Sequence, residues 1–295
     1  MAFLRLEVSN VFALQKRAQP VLPLTRHALR MLAGRGSCVG QFFIKIDQQN
    51  HSYIVALKRG LMKKIGMIGG MSWESTQHYY QIMNQRVVQL LGGHSSIEAI
   101  LYSVNFERVM EFVHRDAWDE VTRIILEIAQ TLEKCGAEFL IMTSNAIHKV
   151  IPQLENQLQI PILHIADPTG DAILKKGVKK IGLLGTRVTM EELFYQDRLK
   201  KKYGIHCITP HKIERDRLHE IIFEELTVGK IASSSKKQVL SMISEIKTAG
   251  AEGIILGCTE LTLLISQKDT DVPLFDTTQL HATAAVDLSI MGDMQ

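Results

Sequence analysis

Lys63-Lys64-Ile65-Gly66-Met67-Ile68-Gly69-Gly70 recurs as Lys179-Lys180-Ile181-Gly182-Leu183-Leu184-Gly185-Thr186, 116 residues further on. Each copy is a basic pair, a short apolar run and a glycine, the pattern of a buried parallel strand running into a turn. Cys135-Gly136-Ala137-Glu138-Phe139-Leu140-Ile141-Met142-Thr143-Ser144 matches Ala249-Gly250-Ala251-Glu252-Gly253-Ile254-Ile255-Leu256-Gly257-Cys258 at an offset of 114. Pro161-Ile162-Leu163-His164 pairs more weakly with Pro273-Leu274-Phe275-Asp276, at 112. Three blocks in one order at nearly constant spacing describe two copies of one α/β unit.

Between the blocks the period changes to helical. Tyr79, Ile82, Met83, Val87, Leu90 and Leu91 form one stripe within residues 73–91. Trp118, Val121, Ile124, Ile125, Ile128, Leu132 and Cys135 form another, on which Cys135 reads as a packed core thiol before a stop at Gly136. Thr189 and Glu192 read as a capping box opening a helix after Gly185-Thr186. The alternation predicts an α/β fold of two pseudo-symmetric lobes, each a mostly parallel sheet flanked by helices, with the active site in the cleft between them. The expected division is residues 62–162 plus about 275–295 for the first lobe and 163–274 for the second. Ligands of such sheets bind beyond the carboxyl ends of the strands. The repeat therefore marks four places: 69–72, 142–148, 185–188 and 257–261. It sets Ser144 and Cys258 at equivalent positions on opposite walls.

The 295 residues are 46% hydrophobic with a mean hydropathy of +0.05, which excludes a collagen-like or wholly disordered chain. No apolar run reaches the roughly 18 residues of a spanning helix, so no membrane role is expected. Residues 1–61 hold nine Lys/Arg against Glu7 and Asp47, leaving 25 basic and 29 acidic residues beyond. A mildly acidic body argues against a nucleic-acid partner. The basic extension shows no sustained period; it reads as disordered or dispensable, with Met62 as a natural opening of the domain, or else as a transit peptide. Cys38, Cys135, Cys207 and Cys258 lie far apart with no CxxC pair, which points to reduced thiols and a cytoplasmic location. No Walker motif, dinucleotide fingerprint or metal-ligand spacing is present, so neither cofactor nor metal is expected.

Cys258 sits where a strand gives way to a helix. Backbone N–H groups there can stabilise a thiolate, and Gly257 permits close approach of a ligand. Ser144-Asn145 reads either as a cap or as a site pair, with His148 one helical turn on and able to orient the hydroxyl. Arg187, Arg198 and the Lys200–Lys202 run read as a solvated face from which one arginine could reach a substrate carboxylate.

Five segments together resemble the aspartate/glutamate racemases, the cofactor-independent amino-acid racemases: IGMIGGMSWEST (65–76), GAEFLIMTSNAIHKV (136–150), LHIADPTGDAI (163–173), LLGTRVTMEELFY (183–195) and GAEGIILGCTEL (250–261). The resemblance implies 1,1-proton transfer at Cα of aspartate or glutamate without pyridoxal phosphate, and a homodimer. Typical members carry a cysteine in each lobe. Cys258 matches the second, whereas Ser144 stands where the first is usual and Ala146 where a threonine is usual, as in branches with a hydroxyl residue there. The implied roles are Cys258 as thiolate base and Ser144 as acid or relay. Met71, Ser72, Asn145, Ala146, Thr186, Thr259 and Glu260 would bind substrate. A hydroxyl is a far weaker acid than a thiol of pKa about 8.5, which makes the two walls unequal. The single second-lobe cysteine also suits a malonate-type decarboxylase, and a degenerate binding protein for acidic amino acids is a further alternative.

Overall fold

A computed structural model describes residues 3–7, 41–45 and 62–291. The N-terminal extension contains strands β1 (Phe3–Glu7) and β2 (Gln41–Lys45), paired antiparallel from Phe3↔Lys45 to Glu7↔Gln41. These strands fall in a stretch where no sustained period was expected. The rest of the extension, and with it the expectation that it is dispensable, lies outside the described residues.

From Lys63 onward the chain forms one compact unit holding two parallel sheets. In the first, β3 (Ile65–Gly69) lies between β4 (Ala99–Ser103) and β5 (Phe139–Met142), and Ile162 bridges to Leu140 on the far side of β5. In the second, β6 (Lys180–Gly185) lies between β7 (His206–Ile208) and β8 (Ile254–Gly257), with β9 (Leu274–Asp276) beyond β8. The two orders are the same, and the three repeat blocks fall on β3/β6, β5/β8 and the Ile162 bridge/β9. Gly66 pairs with Leu140 and Gly182 with Ile254, so the register also repeats.

Helices α1 (Trp73–Leu91), α2 (Phe106–His114) and α3 (Trp118–Lys134) follow the first strands. After a short α4 (Ile151–Leu154) come α5 (Ala166–Lys175), α6 (Arg187–Glu191), α7 (Leu193–Tyr203), α8 (Lys212–Glu220) and α9 (Ser233–Thr248). A short α10 (Leu261–Leu264) and the C-terminal α11 (Thr277–Met291) complete the chain. Val121, Ile125 and Leu132 of α3 bury their stripe against Ile68, Leu140 and Met142. Val239, Ile243 and Ile246 of α9 cover one face of the second sheet, and Ile173, Tyr195 and Leu199 cover the other. α11 ties back to α1 through a bidentate Arg86–Asp287 pair at 3.0 and 3.1 Å.

Two sequence expectations fail here. Cys135 is exposed: it is the C-cap residue of α3, and the chain turns at Gly136 (φ +90°) before the stripe returns to the core. Thr189 is no cap either. The N-cap is Thr186, and Thr189 is fully buried, packed down on the glycines that end β6 and β8. A Cβ on Gly185 or Gly257 would lie 3.2 Å from Thr189 side-chain carbons. Glu192 instead breaks the helix with extended backbone (ψ 141°).

The equivalent glycines Gly66 and Gly182 let helices lie close on the sheets. A Cβ at Gly66 would come within 3.3 Å of Leu132 Cβ on α3, and one at Gly182 within 2.7 Å of Ile246 Cγ2 on α9; each would also press on the neighbouring strand, at Leu140 Cδ2 and Ile254 Cδ1. Gly66→Val and Gly182→Val should each cost about 1–3 kcal/mol through overpacking, read as a lowered urea midpoint. An unchanged midpoint in either variant would refute the close-approach role.

Candidate active site

All four strand ends marked by the repeat open into one cleft of about 350 Å³. Met71 and Ser72 follow β3, Ser144, Asn145 and Ala146 follow β5, and Thr186 follows β6. Cys258, Thr259 and Glu260 follow β8. Every residue that the resemblance names as catalytic or substrate-binding therefore lines the same cavity, as does Arg187, whereas His148, Arg198 and Lys200–Lys202 do not. The turn after β3 requires glycine at position 70, where φ is +89° and a Cβ would sit 2.3 Å from the Val104 carbonyl oxygen.

The second-lobe wall is organised around a carboxylate. The Cys258 thiol donates to Glu260 Oε2 at 2.9 Å, and the Ser72 hydroxyl donates to Oε1 at 3.1 Å from the other lobe. Ser72 also caps α1 by accepting from Ser75 N–H at 3.2 Å. Ser75 donates to the Thr143 carbonyl (3.0 Å), which leaves the Thr259 hydroxyl as donor in their 2.8 Å contact. Burial pushes the Cys258 thiol well above its ordinary pKa, and the Glu260 charge and hydrogen bond push it further. Backbone N–H groups of Glu260 and Thr259 oppose this, with smaller effect. The sequence points to backbone N–H groups that can stabilise a thiolate here. The strand-end N–H groups are present, but the adjacent carboxylate and desolvation outweigh them, and Cys258 rests as a thiol.

On the first-lobe wall Ser144 is half-buried, and its carbonyl accepts from His148 Nδ1 at 2.7 Å. His148 therefore holds the Ser144 backbone and does not orient its hydroxyl. Asn145 makes no cap bond; its Nδ2 donates to Thr277 Oγ1 (3.0 Å), whose hydroxyl passes on to the Leu256 carbonyl (2.9 Å). Asn145 Oδ1 and His148 Nε2 are buried acceptors without a partner.

Behind this wall lies a feature with no sequence signal. His148, His164 and His281 come from three segments and meet edge to face, with ring centroids 4.8 Å (148–164) and 5.7 Å (148–281) apart. Tyr79 donates to His281 Nδ1 at 3.0 Å, and Nε2 donates to the Leu163 carbonyl at 2.9 Å. Beside them Arg198 grips the buried Asp167 through two 2.7 Å bonds and Lys202 adds one at 2.9 Å; Arg198 is thus committed to a buried carboxylate, while Lys200–Lys202 remain exposed as the sequence suggested. Arg187 does line the cleft, with its guanidinium held by Asp216 at 3.0 Å. Among the described residues no group of His, Cys, Asp or Glu could hold a metal ion, and no helix is long and apolar enough to cross a membrane.

Residues 68–285 match the Asp/Glu/Hydantoin racemase family, and the chain belongs to it. It is an amino-acid racemase by class. A crystal structure of a Yersinia pestis protein provisionally named an Asp/Glu racemase is 44% identical, with a TM-score of 0.74 over 77% of this chain and 99% of that one. An aspartate racemase homologue from Pyrococcus horikoshii is 35% identical, with a TM-score of 0.68 over 77% and 99%. The broad-specificity amino-acid racemase of Bacillus subtilis is 24% identical over 229 residues, 75% of this chain and 96% of that protein.

The three histidines predict an acid limit. Burial holds His148 and His164 well below the usual imidazole pKa and His281 at about 4. Like charge adds to the depression: His164 and His281 act on His148, and Arg198 and Lys202 act on His164. Each group binds its proton more readily when unfolded, so stability rises with pH across this window. Going down from about pH 6.5, unfolding free energy should fall by up to about 1.4 kcal/mol per pH unit for each histidine. Urea midpoints measured from pH 7 to 4.5 should decline steadily; a level profile down to pH 5 would contradict neutral buried histidines.

Proposed function

We propose that this chain racemises a free α-amino acid by 1,1-proton transfer without a cofactor, using Cys258 with Glu260 on one face of Cα and Ser144 on the other. The observation carrying this reading is the convergence of equivalent strand ends on one cleft, with an ionisable thiol on one wall and a hydroxyl on the other. Met71, Ser72, Asn145, Ala146, Thr186 and Thr259 surround the substrate's ammonium and carboxylate. A free catalytic thiol suits a reducing, cytoplasmic setting.

In one direction Glu260 accepts the Cys258 proton, and the thiolate removes the α-proton. The electron pair left on Cα spreads into the substrate carboxylate, where backbone donors at the strand ends stabilise it. The Ser144 side returns a proton to the opposite face, and solvent replaces it. In the other direction Cys258, already a thiol at rest, protonates the carbanion, and the Ser144 side must act as base. A hydroxyl does this poorly, so the two enantiomers exchange at unequal rates while the equilibrium constant stays at unity. Aspartate and glutamate, named by the family, are the first substrates to assay. The broad specificity of the B. subtilis relative supports a wider range.

Cys258→Ala should lower α-deuterium incorporation from D₂O by about 10²–10⁴-fold, and Glu260→Gln should also slow it, with circular dichroism unchanged in both. Full exchange in Cys258→Ala would sink the mechanism. Ser144→Cys should raise turnover of the slower enantiomer, because it supplies an ionisable base; if Ser144→Ala left both directions untouched, another group or water would be the second acid.

A further inference from the structure

Most charged groups of the cleft are already matched. Arg187, the only Lys or Arg among the described lining residues, is held by Asp216 at 3.0 Å. Glu191 is paired with Arg215 at 2.8 Å, and Glu192 with Lys149 at 3.2 Å. Lys149 itself lies over the Trp118 ring at 4.1 Å, outside the lining. Glu260 takes its two hydrogen bonds from Cys258 and Ser72. His219 accepts the Arg187 N–H at 3.3 Å, and burial with the Arg187 charge favours its neutral form. Asp116 adds a further carboxyl to the lining. Among the described lining residues a second substrate carboxylate would meet no uncommitted Lys or Arg, only the exposed imidazole of His114 at the end of α2, and desolvating such a group without a partner is costly.

The remaining wall is apolar. Phe106, Met110 and Val113 recur at i, i+4 and i+7 along α2 and face the cavity together with Trp118. Ile222 and Phe223 face it from a π-helical turn, residues 221–225, after α8. Phe223 is held by a ring contact to His219 at 4.7 Å. These six side chains are continuous, within one cavity, with Ser144 and Cys258.

We infer that the cleft contains a side-chain subsite for an uncharged, apolar amino acid of about methionine or leucine size, taken in preference to aspartate or glutamate. The inference rests on the racemase reading for its reaction, and on the α2 wall for its substrate.

The full chain should be incubated in D₂O separately with methionine, leucine, aspartate, glutamate and lysine, each as both enantiomers, and α-exchange followed by NMR. The kcat/KM for methionine or leucine should exceed that for aspartate by about tenfold or more. A highest value for aspartate or glutamate would overturn the inference, as would one for lysine, which would mark the acidic lining as the determinant. Met110→Lys should then lower kcat/KM for methionine and raise it for aspartate, whereas Met110→Leu should keep the wild-type order; an unmoved ratio in Met110→Lys counts against the subsite. If no amino acid exchanged at all, the racemase reading would fail. Calorimetric binding of methionine against aspartate would then test the wall separately, with tighter aspartate binding overturning it.

Discussion

One carboxylate holds the two walls of this cleft together. Glu260 receives the Cys258 thiol from its own strand end and the Ser72 hydroxyl from 188 residues away. A nearly buried carboxylate must be satisfied in this way or it destabilises the fold. The same serine caps α1, and Ser75 one turn on binds both the Thr143 carbonyl and the Thr259 hydroxyl. The contacts that set the relative position of the strand ends are thus the contacts that set the state of the thiol. A change made for stability at Ser72 or Ser75 would be felt by the chemistry.

The duplication explains why so small a set of residues suffices. Parallel strands deliver their carboxyl ends to one edge, and two copies facing each other deliver four such ends to one cavity. Glycines at equivalent register positions let helix and strand approach closely in both copies. The copies have diverged at the tips, where Ser144 faces Cys258. A symmetric framework therefore carries two chemically unequal walls.

The repeat made the architecture readable, because buried parallel strands leave short apolar runs ending in glycine. The lining of the cleft was readable for the same reason: 71–72, 144–146, 186 and 258–260 are all strand ends. What the sequence left open depended on contacts between distant segments. The histidine cluster draws on positions 148, 164 and 281, which no spacing connects. The α2 stripe carries a helical period at 106, 110 and 113, yet a period does not say which cavity it faces. The protonation of Cys258 is a different case, since Glu260 lies only two residues away. The Cys-Thr-Glu turn places a thiol and a carboxylate two residues apart, a spacing that is legible in the sequence. Cys135 failed because the apolar period was carried onto the C-cap residue of α3, and Thr189 because a Thr-x-x-Glu spacing marks a capping box only where its threonine precedes the helix, which here begins after Thr186.

The most direct test of this account is the titration of Cys258 itself. Rates of iodoacetamide modification, located by mass spectrometry and measured against pH in the wild type and in Glu260→Gln, report the thiol's ionisation. The account predicts a midpoint above the ordinary thiol value of about 8.5 in the wild type, and a clear fall when the carboxylate charge is removed. A wild-type midpoint at or below the ordinary value, unmoved by Glu260→Gln, would contradict it.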